Sequence, residues 1–325
     1  MISRRKVLEW GGAALCAGTL GGRAGAQGTW PARDIHTICP FPPGTGADIV
    51  VRYYAKVLQD RVNRTVVVEN RPGAFGNIAT EAIARSKPDG YTVGIMASSA
   101  IAAAPSLFKT LTYDPVKDFD QVATLMRVPW FMLVPADSPY KTVADLTAYL
   151  KQRGDKASYG SVANSGVISS ELYKVAFDLK TVEVKYKDPF SMLNDLYAGN
   201  LAFVHLDATT TIGSIKNGKL RLLASSTKKR ATQFPDVPSA AEVGIVNCDL
   251  AGWWGIAVPK GTPQAIRDRL EKIYVDFVAS GEHAKWVASI GCEPFPGDHK
   301  AAEDALVKEM QAWQEYVRVA KIEKI

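Results

Sequence analysis

The 325 residues suffice for two domains of ordinary size, and 47% hydrophobic with 22% charged residues is the composition of a folded globular chain, which excludes a largely disordered one. The formal net charge is +6, and half of it comes from the first 26 residues, where Arg4, Arg5, Lys6 and Arg23 stand against Glu9. The remainder is too weakly basic to argue for nucleic acid as a partner.

The chain opens with basic residues, continues with an apolar Gly/Ala-rich stretch over residues 7–22, and then carries Ala24-Gly25-Ala26, the small-residue pattern of a cleavage site. This predicts an export signal over residues 1–26, a mature chain from Gln27 and a periplasmic protein. Ser3-Arg4-Arg5-Lys6-Val7-Leu8 resembles the twin-arginine export motif, although a general secretory signal with two adjacent arginines would look similar. The apolar stretch is short and contains Glu9, and no later segment approaches the ~20 apolar residues of a spanning helix. Beyond the leader only Cys39, Cys248 and Cys292 remain. Their odd number and wide spacing do not indicate a disulfide framework or a zinc cluster, while a single Cys248–Cys292 bridge stays open beside buried free thiols.

Short β-branched runs then alternate with helical periodicity, the pattern of parallel sheets covered by helices. A strand is predicted over 35–39. Pro40-Phe41-Pro42-Pro43-Gly44-Thr45-Gly46-Ala47-Asp48 cannot extend it and opens a helix over 49–59, whose Ile49, Tyr53 and Val57 share one face. A strand over 66–69 closes at Asn70-Arg71-Pro72-Gly73, a helix spans 77–87, and a strand over 91–97 ends at Ser98-Ser99, completing a βαβαβ unit. Residues 130–135 form an apolar strand placed to cross between lobes. Thr142 with Asp145 makes a capping box, and strands recur over 157–161, 182–186, 201–207 and 220–225. Trp253-Trp254-Gly255-Ile256-Ala257-Val258-Pro259 looks like a return crossing, after which Thr262 is expected to cap a helix that begins at Pro263. Two crossings imply one lobe from 27–132 plus 254–325 and a second from 133–253. Val134-Pro135 and residues 252–255 are the expected hinges.

A glycine-containing loop between a strand and a helix start presents unpaired N–H groups and the positive end of the helix dipole, so residues 44–48 suit an anion. A tight turn without any ligand would use the same residues. An exported dinucleotide-dependent oxidoreductase is the alternative, with Gly44-Thr45-Gly46 as the phosphate turn and Glu69 on the ribose, but Ile49 occupies the third glycine's position. Ser98 follows one strand, Ser161-Val162-Ala163-Asn164-Ser165-Gly166 follows another, and Tyr186 and Asp207 stand at comparable strand ends. Hydroxyls and helix starts from both lobes can therefore face one crevice, although any single serine there could equally be a helix cap. The serines show no nucleophile elbow, and His36, His205, His283 and His299 lack metal-ligand spacing, so no catalytic residue, metal or cofactor is expected. Neither loop contains Arg or Lys. A bound carboxylate would then be neutralised by N–H groups and hydroxyls; were a cationic clamp used instead, Arg52 and Arg71 would be the first candidates.

Several ordered segments resemble the substrate receptors of tripartite tricarboxylate transporters, the Bug family of periplasmic binding proteins. They include Cys39-Pro40-Phe41-Pro42-Pro43-Gly44-Thr45-Gly46-Ala47-Asp48, Val67-Val68-Glu69-Asn70-Arg71-Pro72-Gly73, Lys87-Pro88-Asp89-Gly90-Tyr91-Thr92 and Phe234-Pro235-Asp236-Val237-Pro238. The resemblance implies a type II periplasmic-binding-protein fold: two α/β lobes with parallel-rich sheets joined by two crossover strands. It also implies a monomer that closes over a small organic carboxylate and passes it to the membrane subunits of a transporter, without catalysis. The loops carrying Phe41, Thr45, Gly46, Ala47 and Asp48, and Ser161, Asn164 and Ser165, would grip the carboxylate, with Ser98, Tyr186 and Asp207 at the cleft. Between Tyr159 and Glu171 the chain departs from the family pattern with a shorter loop carrying Val167-Ile168, and Lys185 and Asp188 flank Tyr186-Lys187 in place of a proline and a glycine.

Overall fold

Strand β1 (Ile35–Cys39) leads through the proline-rich loop into α1 (Gly46–Val62) and returns in parallel as β2 (Val66–Asn70) in this computed structural model, which describes residues 30–325. The expected export signal lies outside the described residues, and the unit considered below runs from Arg33 to Ile325. Helix α1 buries Val50, Val51, Tyr54, Val57 and Leu58, whereas Ile49 is half exposed, so the buried stripe is rotated from the expected one. The i, i+4 pair Val50 and Tyr54 continues to Leu58 and sets that stripe. Next come α2 (Asn77–Ala84), β3 (Gly94–Ala97) and the short helices α3 (Ser98–Ile101) and α4 (Ala104–Leu107).

The long strand β4 (Phe119–Pro135) organises the rest. It is followed by α5 (Val143–Arg153), β5 (Ser158–Ser161), α6 (Asn164–Phe177), β6 (Val182–Lys185), α7 (Pro189–Tyr197), β7 (Phe203–Asp207), α8 (Ala208–Lys216) and β8 (Leu220–Ser225). Strand β9 (Ala251–Pro259) precedes α9 (Gln264–Val278), α10 (Gly281–Ser289), β10 (Glu293–Gly297) and α11 (His299–Val319). Helix α5 has the expected capping box of Thr142 and Asp145. Thr262 does not cap α9: its hydroxyl donates to the Pro259 carbonyl, and Pro263 holds the cap position without a side-chain bond. Strand β10, unforeseen because its Pro-rich sequence reads as a turn, pairs with β4.

The α/β architecture is as expected, with a specific division of strand direction. Strands β1–β2, β5–β6 and β5–β7 pair in parallel, and every antiparallel pair includes β4 or β9. Strand β4 runs beside β9 from Phe119 to Pro129, then beside β7 from Trp130 and β8 from Phe131. Pro129 lacks an N–H and stands where the ladder changes partners, a position a proline tolerates. Aromatic clusters fill the core at both ends of this strand system: Tyr54 with Tyr274 and Phe277, and Tyr159 stacked on Phe203 with centroids 5.5 Å apart. Cys39, Cys248 and Cys292 are free and buried, so the Cys248–Cys292 bridge is not formed.

Candidate ligand-binding cleft

A cavity of about 620 Å³ lies where strand ends turn into helix starts. Its wall includes Phe41, Thr45, Ala47, Ser98, Asn164, Tyr186 and Asp207 from among the residues singled out in the sequence. Gly46, Asp48, Ser161 and Ser165 stand outside the wall, each for a visible reason. A Cβ on Gly46 would fall 2.5 Å from Thr209 Oγ1 and 2.7 Å from Thr210 N, so a glycine there lets the start of α1 abut the start of α8. Asp48 is 3% exposed and accepts from Gly44 N at 2.9 Å, Arg52 Nε at 2.9 Å and Asn70 Nδ2 at 2.8 Å. Burial works to raise this carboxyl, but the bonds from Arg52, Asn70 and Gly44 outweigh it and hold the pKa below the ordinary value. Asp48 therefore fixes the loop, and Asn70 ties the same network to the Phe41 carbonyl at 2.9 Å. Ser161 Oγ donates to Glu183 at 2.6 Å, and Ser165 is buried in the first turn of α6.

Five helix starts of at least two turns border the cavity, and their caps differ: α2 follows the wall residue Gly76 without a side-chain cap. Asp188 caps α7 by accepting from Phe190 N and Ser191 N, each at 2.9 Å, and Asp207 caps α8 by accepting from Thr210 N at 3.0 Å. Each carboxylate already occupies the place an external anion would take. Thr45 Oγ1 caps α1 through Asp48 N at 3.3 Å, and no acceptor is recorded for the N–H groups of Gly46 and Ala47. Helix α6 begins at Ala163 with no side-chain cap, and the N–H groups of Asn164, Ser165 and Gly166 precede its first backbone bond, Val167 N to Ala163 O. Among the starts of α1, α6, α7 and α8, the free anion-binding capacity thus lies at α6 and α1. Asn164 Nδ2 links the two sides by donating to the Ser99 carbonyl at 3.3 Å.

The wall also holds residues not anticipated in the sequence: Phe75, Trp130, Trp254, Lys187, Asp188 and the pair Thr209 and Thr210. Of these, Thr209 and Thr210 stand two and three residues after Asp207 and could have been found from that spacing, whereas Trp130 read simply as strand packing. Arg52 and Arg71 are paired with Asp48 and Glu69, and the cation on the wall is Lys187. Behind the wall, Ser98 Oγ accepts from Trp253 N at 3.0 Å and donates to Glu309 of α11 at 2.8 Å. Burial pushes the Glu309 carboxyl up to about 7, opposed by bonds from Ser98, Trp313 and Trp253. At the opposite end of the chain, Ala74 and Phe75 adopt left-handed φ values of 45° and 52° between Gly73 and Gly76, closed by Gly76 N to Gly73 O at 2.9 Å. For non-glycine residues such a conformation costs about 1–3 kcal/mol each.

A two-winged α/β architecture, with a cavity bordered by helix starts and a long strand exchanging partners beside it, defines a solute-binding protein of the periplasmic-binding type. The profile described as "Tripartite tricarboxylate transporter family receptor" matches residues 50–321. Protein BugT of Bordetella pertussis is 30% identical over 293 residues, 89% of this chain and 90% of that protein. Among solved structures, R. palustris Rpa4515 with adipate superposes with a TM-score of 0.86 at 30% identity, covering 91% of this chain and 100% of that one. The periplasmic binding protein BugD gives 0.84 at 28% identity with the same coverage. The chain belongs to the tripartite tricarboxylate transporter receptor family.

Proposed function

We propose that the protein binds a small organic carboxylate in the cleft and delivers it to the membrane subunits of a tripartite tricarboxylate-type transporter. In this reading it works as a monomer in the periplasm, after twin-arginine-type export and cleavage before Gln27. The observation that carries the reading is the uncapped start of α6 beside the open first turn of α1, while the neighbouring starts of α7 and α8 hold their own carboxylates. A ligand carboxylate bridging α6 and α1 would accept from Gly46, Ala47, Asn164, Ser165 or Gly166, and such charge-assisted bonds contribute ~1.5 to 3 kcal/mol each. The presence of adipate with R. palustris Rpa4515 supports a carboxylate as the ligand class.

Residues 33–129 with 251–325 would form one lobe and residues 130–250 the other. The hinges would then lie where β4 changes partners at Pro129 and where β9 begins at Ala251, because Val134 and Pro135 are held in the β8 ladder opposite Arg221 and Leu220. Thermal denaturation across mono-, di- and tricarboxylates, each beside its carboxamide, tests the reading. A true ligand at 100 times its Kd adds about 2.7 kcal/mol of stability and its amide adds none. Equal stabilisation by acid and amide, or no response to any carboxylate, would remove the carboxylate from the proposal.

A further inference from the structure

The polar side chains around the cavity leave little hydrogen-bonding capacity for a ligand. Thr45 Oγ1 donates to Pro42 O at 2.8 Å, Tyr186 OH to Asp195 at 2.6 Å, and Ser98 to Glu309. Thr209 and Thr210 both donate to Asp207, and Asp188 accepts from Ser191 Oγ at 2.8 Å as well as capping α7. Outside the open helix starts, the wall's side-chain donors with no hydrogen bond to described residues are the Ser99 hydroxyl, the Lys187 ammonium and the indole N–H groups of Trp130 and Trp254. The rest of the wall is aromatic and aliphatic. Phe41 and Trp254 lie with ring centroids 6.2 Å apart, and Trp130 and Phe75 face the same space.

Phe75 is the unusual member of this group. The residue is 37% exposed, and its backbone occupies the left-handed region in which a bulky residue is disfavoured. The flanking Gly73 and Gly76, with φ of 133° and 96°, show that the turn itself needs glycine-like freedom. A glycine would satisfy the backbone at position 75, yet the chain carries a phenyl ring there that leaves more than a third of the residue exposed at the cavity wall. Backbone strain retained at a partly exposed aromatic residue on the cavity wall points to a contact with what the cavity holds.

We infer that Phe75 is a specificity-determining contact and that the ligand is a carboxylate carrying an apolar, ring-sized body, which the Phe75, Phe41, Trp130 and Trp254 side chains cover. This inference rests on the carboxylate reading of the cleft and narrows it. The carboxylate sits at the starts of α6 and α1, and the body lies along the aromatic wall, where burying a ring removes both its surface and theirs from water. A short polar diacid would leave most of the aromatic wall uncovered and would have to reach Lys187 or Ser99 to place its second charge.

Calorimetric titration of the wild-type protein, Phe75→Gly and Phe75→Leu with phenylacetate and with succinate tests it, together with thermal denaturation of each ligand-free variant. Wild type is expected to bind phenylacetate at least about tenfold more tightly than succinate, a difference of ~1.4 kcal/mol. Phe75→Gly should lose that preference yet unfold at no lower temperature, because the turn is relaxed, and Phe75→Leu should keep part of the preference. Tighter binding of succinate by wild type overturns the apolar ligand class, and an unchanged preference in Phe75→Gly overturns the role of the ring. A lower unfolding temperature in Phe75→Gly makes the ring structural and also overturns it. Binding of neither acid by wild type defeats this inference, and the carboxylate reading then stands or falls separately on the wider acid and amide series.

Discussion

Helices α6 and α8 begin at the same cavity after equivalent strand ends, yet they differ in the residue before the first turn. Asp207 precedes α8 and accepts from Thr210 N, whereas Ala163 precedes α6 and accepts nothing with its side chain. A carboxylate cap stabilises a helix by about 1 kcal/mol relative to alanine, so the chain forgoes that stability at α6 and retains an open anion site there. The two helix starts have the same dipole and the same orphan N–H groups. Only the cap decides whether the anion is supplied by the protein or by a ligand.

The largest effect is expected where the helix starts of opposite walls meet. Gly46→Val places atoms inside contact distance of Thr209 and Thr210, so the α1 and α8 starts can no longer abut. Ligand affinity should fall by at least about 100-fold, or ~2.8 kcal/mol, with the ligand-free unfolding temperature little changed, as read by calorimetry and thermal denaturation. Retained affinity would show that this approach is dispensable for binding. Converting α6 into a copy of α8 is the next test: Ala163→Asp should raise ligand-free stability by about 1 kcal/mol while weakening carboxylate binding by roughly 30-fold. Stabilisation without loss of affinity would place the anion elsewhere.

Glu309, behind Ser98, extends the comparison to a carboxylate that no helix start neutralises. Its folded pKa, raised to about 7 from an ordinary 4.5, means that the folded state binds the proton more tightly than the unfolded chain does. The resulting stability is fully present below about pH 4.5 and is lost as pH rises through 7, a change on the order of 3 kcal/mol. Chemical denaturation of Glu309→Gln between these limits should lack that component, and an identical pH profile in both proteins would refute it. The smallest effect concerns α7. The Ser191 N–H and then its hydroxyl, with Phe190 N, hold the Asp188 carboxyl below its ordinary pKa, so its stabilisation is present at neutral pH and disappears as pH falls below about 4. Asp188→Ala should cost about 1 kcal/mol at pH 7 and progressively less as pH falls below about 4, with carboxylate affinity unchanged or higher. A marked loss of affinity would make Asp188 a ligand contact rather than a cap.

Much of the scaffold could be read from local pattern alone. The strand over 35–39, the capping box at Thr142 and the strand over 220–225 depend on neighbours within a few residues, and they form as expected. The loop over residues 41–48 was legible as a helix start suited to an anion for the same reason. Local pattern failed where a long-range partner decided the outcome. Ile49 looked like a core residue until α1 packed on its Val50, Tyr54 and Leu58 side, and the strand at residues 293–297, with its two prolines, forms only because β4 offers an edge to pair with.

The sequence by itself determined which residues could accept or supply hydrogen bonds at each strand end, because caps, glycines and prolines act on their own backbone. Only the tertiary structure decided which of those groups remained available. Asp48 became part of the scaffold once Arg52 and Asn70 reached it, and Ser98 was engaged by Glu309, 211 residues away. Phe75 came to the cavity wall only when the turn at residues 73–76 folded beside Pro40 and Ala100. Hydrogen-bond capacity is local, but its use depends on contacts that only the folded chain brings within reach.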